Sequence, residues 1–207
     1  IVAGLNVVSG AIAWTFRPPS EALGTPEIQG GRILCATADG TILLIDPVQG
    51  TEAGRIAVGS RLDVPGRTAE GSYIVGDSSG RIRSLLLATG AVQWTYESPL
   101  ENPTPAAIGG GLVFFGSKAG LLAALDIRSG DLRWKGKVGD AILAPPAWAN
   151  GNFYLGTKGG QALCLDGPSG TPEWSYMAAG SIAASPAGAE KFVLFGSDDH
   201  RLYAFSE

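Results

Sequence analysis

Short runs of consecutive apolar residues return along the chain at one spacing: 32–36 (RILCA), 72–76 (SYIVG), 112–116 (LVFFG), 152–156 (NFYLG) and 192–196 (FVLFG). Apolar residues at successive rather than alternate positions predict a strand buried on both faces. Each run is followed by a small polar turn (ADG, SSG, KAG, KGG, DDH) and a further strand at 41–46, 81–86, 121–126, 161–166 and 201–206. Those turns suit tight hairpins, in which glycine supplies a left-handed backbone at least cost. A second turn (DPVQG, LATG, DIRSG, DGPSG) then leads into a short strand that usually carries tryptophan. Proline at Pro26, Pro65, Pro105, Pro145 and Pro186 opens the next unit and marks where an innermost strand begins, because proline is tolerated at strand starts and edges.

The period is 40 residues without a slip. Gly10, Gly50, Gly90, Gly130 and Gly170 form one comb; Gly40, Gly80, Gly120 and Gly160 form a second, with His200 as its fifth tooth. Trp14, Trp94, Trp134 and Trp174 follow the first comb by four residues, and Gly54 is the exception. Four strands per repeat predict an all-β fold, a β-propeller of about five four-stranded blades. A β-solenoid is the structural rival, but it has no use for one aromatic anchor per repeat.

The segment LAALDIRSGDLRW (122–134) resembles the signature of the pyrroloquinoline-quinone-like (PQQ-like) propeller family, and LCLDGPSGTPEW (163–174) and LLLATGAVQW (85–94) are close copies. FFGSKAG (114–120) and FGSDDH (195–200) are similar to the same family's Gly-Ser hairpin. The resemblance implies that Trp14, Trp94, Trp134 and Trp174 dock between neighbouring blades against the glycine turns. The second repeat departs most: Gly54 lacks the tryptophan and Leu86 stands where Asp46, Asp126 and Asp166 repeat.

The pattern reads as one propeller domain over 1–207, with repeats at about 7–46, 47–86, 87–126, 127–166 and 167–206 and residues 1–6 as a partial blade. Residues 1–6 have the phase of a third strand, 11–16 of a fourth, and 182–206 hold the first three strands of a last blade. One strand is left over from a closed five-bladed ring, so a piece of a larger six- to eight-bladed ring is the simpler expectation.

The net charge of −4 disfavours non-specific nucleic-acid binding, which needs a basic face. No apolar run approaches the roughly 20 residues of a membrane-spanning helix. Cys35 and Cys164, the only cysteines, are expected to be small buried hydrophobes. The chain opens on Ile1 without an initiator Met, as a processed or excised chain would.

Two function classes follow from the resemblance. A quinoprotein dehydrogenase would hold PQQ over calcium, which needs converging carboxylate and amide oxygens. The acidic residues here sit in hairpin turns or at the repeat aspartate, whose expected role is to cap a turn. No catalytic or metal residue is assigned, no cofactor is expected, and Trp148 is the one candidate stacking surface for a quinone, with blade packing as its plainer reading. The favoured class is a non-catalytic scaffold with a protein partner, for interaction or ligand sensing. That class resembles the propeller lipoprotein of outer-membrane assembly, or propellers appended to adenylating enzymes and kinases. The first of these implies a periplasmic or other extracytoplasmic location. Lys118, Lys158, Asp198, Asp199 and His200 share one hairpin phase and are the expected interaction rim.

Overall fold

The structure, a computed structural model, describes residues 1–98, 103–189 and 191–206. It is all-β, with twenty-one strands and no helix among those residues. The first pair is β1 (Val2–Leu5) with β2 (Ile12–Phe16). Four four-stranded antiparallel sheets follow in chain order. The first holds β3 (Glu27–Gln29), β4 (Arg32–Ala36), β5 (Thr41–Ile45) and β6 (Glu52–Ala57). The second holds β7 (Arg67–Ala69), β8 (Ser72–Gly76), β9 (Arg81–Leu86) and β10 (Val92–Glu97). The third holds β11 (Ala107–Gly109), β12 (Leu112–Gly116), β13 (Leu121–Asp126) and β14 (Leu132–Lys137). The fourth holds β15 (Ala147–Ala149), β16 (Asn152–Gly156), β17 (Gln161–Asp166) and β18 (Pro172–Met177). A three-stranded sheet of β19 (Ala187–Ala189), β20 (Phe192–Ser197) and β21 (Arg201–Ser206) ends the chain. Each innermost strand starts one or two residues after the proline that announces it.

Two compact units divide the chain: Ile1–Ser78 with Ile82–Gln93, and Ser79–Arg81 with Trp94 onward. Within the first, successive residues of one strand feed different cores. Leu34 and Ala36 join Ile42, Tyr73, Val75 and Leu85, whereas Cys35 joins Leu43 and Ile45 beneath Trp14 and Phe16. In the second unit Phe153 and Leu155 face Phe114 and Ile142, and Tyr154 between them faces Cys164, Ile182 and Phe195. This is why the apolar runs do not alternate: strands such as β4 and β16 are packed on both faces. Full burial of a side chain such as Phe153 contributes about 1.5–3 kcal/mol.

Candidate functional site

Three tryptophans sit on glycine turns in the same way. Trp14 Nε1 donates to the Pro47 carbonyl (2.9 Å), Trp94 Nε1 to Ile127 (3.0 Å) and Trp134 Nε1 to Gly167 (2.8 Å), each 33 residues on. Three residues beyond each carbonyl lies the glycine under the ring, at φ 66° for Gly50, 75° for Gly130 and 71° for Gly170. A Cβ there would lie 2.3, 2.6 and 2.4 Å from the indole carbons, so glycine is required both by the backbone and by the ring above it. Trp174 is placed differently, with its ring stacked on Phe205 at 4.7 Å. Gly10 has nothing within 4 Å, and over Gly90 the side chain of Ile56 replaces the ring that Gly54 cannot supply.

A β-bulge precedes three of the rings, a feature that the sequence pattern did not disclose. Ala124 pairs with Trp134 but Leu125 pairs with Leu132, leaving Arg133 as the extra residue; the same shift precedes Trp14 and Trp174. A bulge bends its strand and re-directs the next side chain. The turns that receive the rings are closed by the repeat aspartates. Asp126 Oδ1 accepts from the N–H groups of Arg128 and Ser129 (both 3.0 Å), and Asp46 does the same for Val48 and Gln49 (both 2.9 Å). The Arg133 guanidinium, 2.6 Å from Asp126, and the two backbone donors pull that carboxyl down to about 2. Leu86 has no such side chain, and its turn closes through backbone bonds: the N–H groups of Gly90 (2.7 Å) and Thr89 (3.3 Å) donate to the Leu86 carbonyl, and the Leu86 N–H donates to that of Ala91 (2.8 Å).

Trp148 lies in an apolar cluster. It meets Phe153 edge-on at 4.7 Å, and its ring fills the space where Cβ atoms on Gly109, Gly110 and Gly167 would stand. Trp148 is half-buried and packs against the cluster of Phe114, Phe153 and Leu165.

The rim residues all belong to the second unit. Lys118 lies between β12 and β13, Lys158 between β16 and β17, and Asp198, Asp199 and His200 between β20 and β21. Lys118, Lys158, Asp198 and His200 are exposed. The hairpins beneath them are pinned: Lys158 N–H donates to the Ala141 carbonyl and Asp198 N–H to that of Ser181 (both 2.8 Å). Asp199 accepts from Tyr203 Oη (2.6 Å) and the Arg201 N–H (3.1 Å), which hold its carboxyl below the usual range. His200 takes φ 66° at the place that glycine fills in the other repeats.

One buried charged pair escaped the sequence reading. Asp77 and Arg83 meet at 3.2 Å with side chains 2% and 11% exposed, and Ser60 Oγ donates to Asp77 (2.8 Å). Arg83 also donates to the Val58 carbonyl (2.8 Å). The signal was a paired departure: Asp77 stands among Thr37, Ser117, Thr157 and Ser197, and Arg83 among Leu43, Ala123, Leu163 and Tyr203.

Among the described residues no group of three His, Cys, Asp or Glu side chains converges as a metal site. The carboxylates that a calcium-bound quinone would need are engaged elsewhere. Asp46, Asp126 and Asp166 cap turns, Asp39 accepts from Thr37 (2.7 Å), and Glu27 pairs with Arg67 (3.0 Å). The donor set does not fit that group. Cys35 and Cys164 are buried and free, and burial pushes the Cys164 thiol up to about 11. No helix is long and apolar enough to cross a membrane among the described residues.

Repeated four-stranded antiparallel sheets, with indole rings locked over glycine turns, define a β-propeller. The family model described as outer membrane protein assembly factor BamB matches residues 2–104, 51–142 and 118–207. The chain belongs to that PQQ-like family. No curated protein matches the sequence. Among solved structures, BamB from Moraxella catarrhalis is similar at 20% identity with TM-score 0.77, over 99% of this chain and 66% of that one. The computationally designed Ika8 protein is similar at 15% identity with TM-score 0.84, over 97% and 63%. The chain thus spans just under two thirds of each of these structures, and at such identities the likeness concerns the fold.

Proposed function

We propose that this propeller is a non-catalytic scaffold that binds a protein partner through the rim formed by Lys118, Lys158, Asp198, Asp199 and His200. The observation that carries the reading is the pairing of exposed, mixed-charge tips with backbones pinned by the 2.8 Å bonds at Lys158 and Asp198. Rigid hairpins present side chains with little ordering cost, which is the condition for specific binding by loops. The chemistry of the rim suits a polar protein surface of mixed charge. An extracytoplasmic location, at the outer membrane, accords with the description of the family. Photo-crosslinking residues placed at Lys118, Lys158 and Asp198 should yield the same discrete protein adduct in an envelope fraction of the source cells. A crosslinker at Arg55, exposed on outer strand β6, should not. Equal labelling from Arg55 would remove the rim from the reading, and charge reversal at Lys118 and Lys158 that left the adduct intact would do the same.

A further inference from the structure

Four of the five lysines in the sequence, Lys118, Lys135, Lys137 and Lys158, fall on one outer strand and the hairpins beside its end. Lys135 and Lys137 lie two apart on β14, opposite Ala123 and Leu121, so their side chains leave the same face of the strand. The strand runs into a connector held by both hairpins: the Val138 N–H donates to the Gly120 carbonyl and the Lys158 N–H to the Ala141 carbonyl (both 2.8 Å). Lys118 belongs to the first hairpin and Lys158 to the second, and at most about 14 Å of extended chain separates Lys137 from Ala141. All four lysines are exposed, and none forms an ion pair among the described residues. The carboxylates along this stretch are engaged with other groups. Asp126 holds Arg133 (2.6 Å), Asp131 accepts from Ser129 Oγ (2.7 Å), and Asp140 accepts from the N–H groups of Ala141 (2.7 Å) and Gly159. Residues 118–158 thus hold six Lys and Arg against three Asp, in a chain of net charge −4.

Nothing in the repeat demands these lysines. Thr15, Arg55, Thr95 and Ser175 stand where Lys135 does, and Arg17, Ala57, Glu97 and Met177 where Lys137 does. Lysine on a free strand edge discourages pairing with another sheet, but β10 and β18 are equally outermost and carry no cation. We propose that β14 and its flanking hairpins form a docking surface for an extended, acidic segment of a partner polypeptide. Residues two apart in an extended chain stand about 6.6–6.8 Å from each other, which is also the step from Lys135 to Lys137. Acidic residues at alternate positions of the segment therefore meet the two lysines one to one, a spacing that a lipid surface does not offer. Lys118 and Lys158 receive the carboxylates that follow. Because the chain as a whole is negative, attraction for an anion has to come from this surface, and such complementarity selects the partner and orients it. The inference rests on the reading of the hairpin tips as a partner surface, and names the chemistry of the partner at this end.

A fluorescein-labelled peptide of alternating glutamate and serine, titrated with the full chain at low salt and followed by anisotropy, should bind saturably. A peptide of alternating lysine and serine should not bind. Lys135→Glu with Lys137→Glu should weaken the acidic peptide at least tenfold. Arg55→Glu with Arg61→Glu, the same change of net charge on exposed residues of the first unit, should leave its affinity nearly unchanged. Raising the salt shortens the Debye length, about 10 Å at 0.1 M, and should weaken binding to the unaltered chain severalfold, so the idea is tested even if a variant fails to fold. No binding at millimolar peptide, salt-independent binding, or equal loss in the two double variants would overturn the proposal. So would flotation on phosphatidylglycerol vesicles that requires Lys135 and Lys137 when the peptide does not bind, for a lipid surface would then be the occupant. If the Asp198 crosslink gives its adduct while the peptide fails to bind, this inference falls and the rim stands. If the peptide binds through Lys135 and Lys137 while no hairpin crosslinks, the lysine surface stands and the rim falls.

Discussion

Alanine at Gly170 and at Gly111 should separate the two reasons for which this fold uses glycine. Both residues are in the second unit and have nearly the same backbone, φ 71° and 75°. Nothing lies within 4 Å of a Cβ on Gly111, whereas one on Gly170 would stand 2.4 Å from Trp134 Cδ2. A left-handed backbone costs an L-residue about 1–2 kcal/mol, and that is the whole expected effect of Gly111→Ala. Gly170→Ala adds the overpacking of a ring that cannot retreat, held by Phe114 at 5.2 Å and by its bond to Gly167, for about 1–3 kcal/mol more. The expected total is about 2–5 kcal/mol. Trp134→Ala alone should cost about 3–5 kcal/mol, the range for emptying a large aromatic site.

The double variant is the sharper test. With the ring gone, the new Cβ of Gly170→Ala points into vacated space and only the backbone cost remains. The pair should therefore fall short of additivity by about 1–3 kcal/mol, the size of the clash. Urea midpoints and slopes from far-ultraviolet circular dichroism give all the values, and fluorescence is unsuitable because the reporter is removed. If Gly170→Ala and Gly111→Ala agree within about 0.5 kcal/mol, or the double variant is additive within that margin, the ring does not rest on the glycine.

Other outcomes follow from the same geometry. Asp77→Asn should cost about 3–5 kcal/mol by leaving Arg83 buried without a counter-charge, whereas Asp77→Ser with Arg83→Leu, which restores the pattern of the other repeats, should recover most of it in thermal melts. The carboxyls of Asp46, Asp126, Asp166 and Asp199 are all depressed in the folded chain, so they stabilise it above their unfolded pKa of about 3.9 and lose that effect as pH falls toward the folded values, about 2 for Asp126. The melting temperature should be flat from about pH 7 to 5 and drop below about 4. Asp126→Asn should leave the neutral-pH melt nearly unchanged and flatten part of that acid limb, since Asn6 closes the same turn through its amide oxygen (3.0 and 2.9 Å). Added PQQ and calcium should produce no saturable rise in melting temperature, because a ligand that binds only the native state must raise it. A rise of several degrees would return Trp148 to consideration as the stacking surface.

What was legible in the sequence was whatever the fold repeats. The glycine comb is periodic because every tooth takes a left-handed backbone, φ 66–75°, and three of the five also lie under a ring, as Gly130 under Trp94 and Gly170 under Trp134. The apolar runs are continuous because both sides of a strand face other blades, as Tyr154 and Leu155 do in different cores. Even the irregular strand count, a two-stranded pair at one end and a three-stranded sheet at the other, could be read from phase alone. What lay hidden was relational. The bulge at Arg133 leaves no composition signal, since Ala13 and Glu173 do the same work elsewhere. The Asp77–Arg83 pair looked like two unrelated departures until distance joined them. The site itself was the least legible, for a physical reason. Scaffold residues are constrained by contacts that recur every 40 residues, but a rim residue such as His200 contacts solvent and need only keep its backbone, φ 66°, where glycine would otherwise stand. Repetition therefore reveals what the protein does for itself. Residues that would serve a partner are to be sought where the repetition stops, at the tips that differ, as His200 differs from Gly40, Gly80, Gly120 and Gly160.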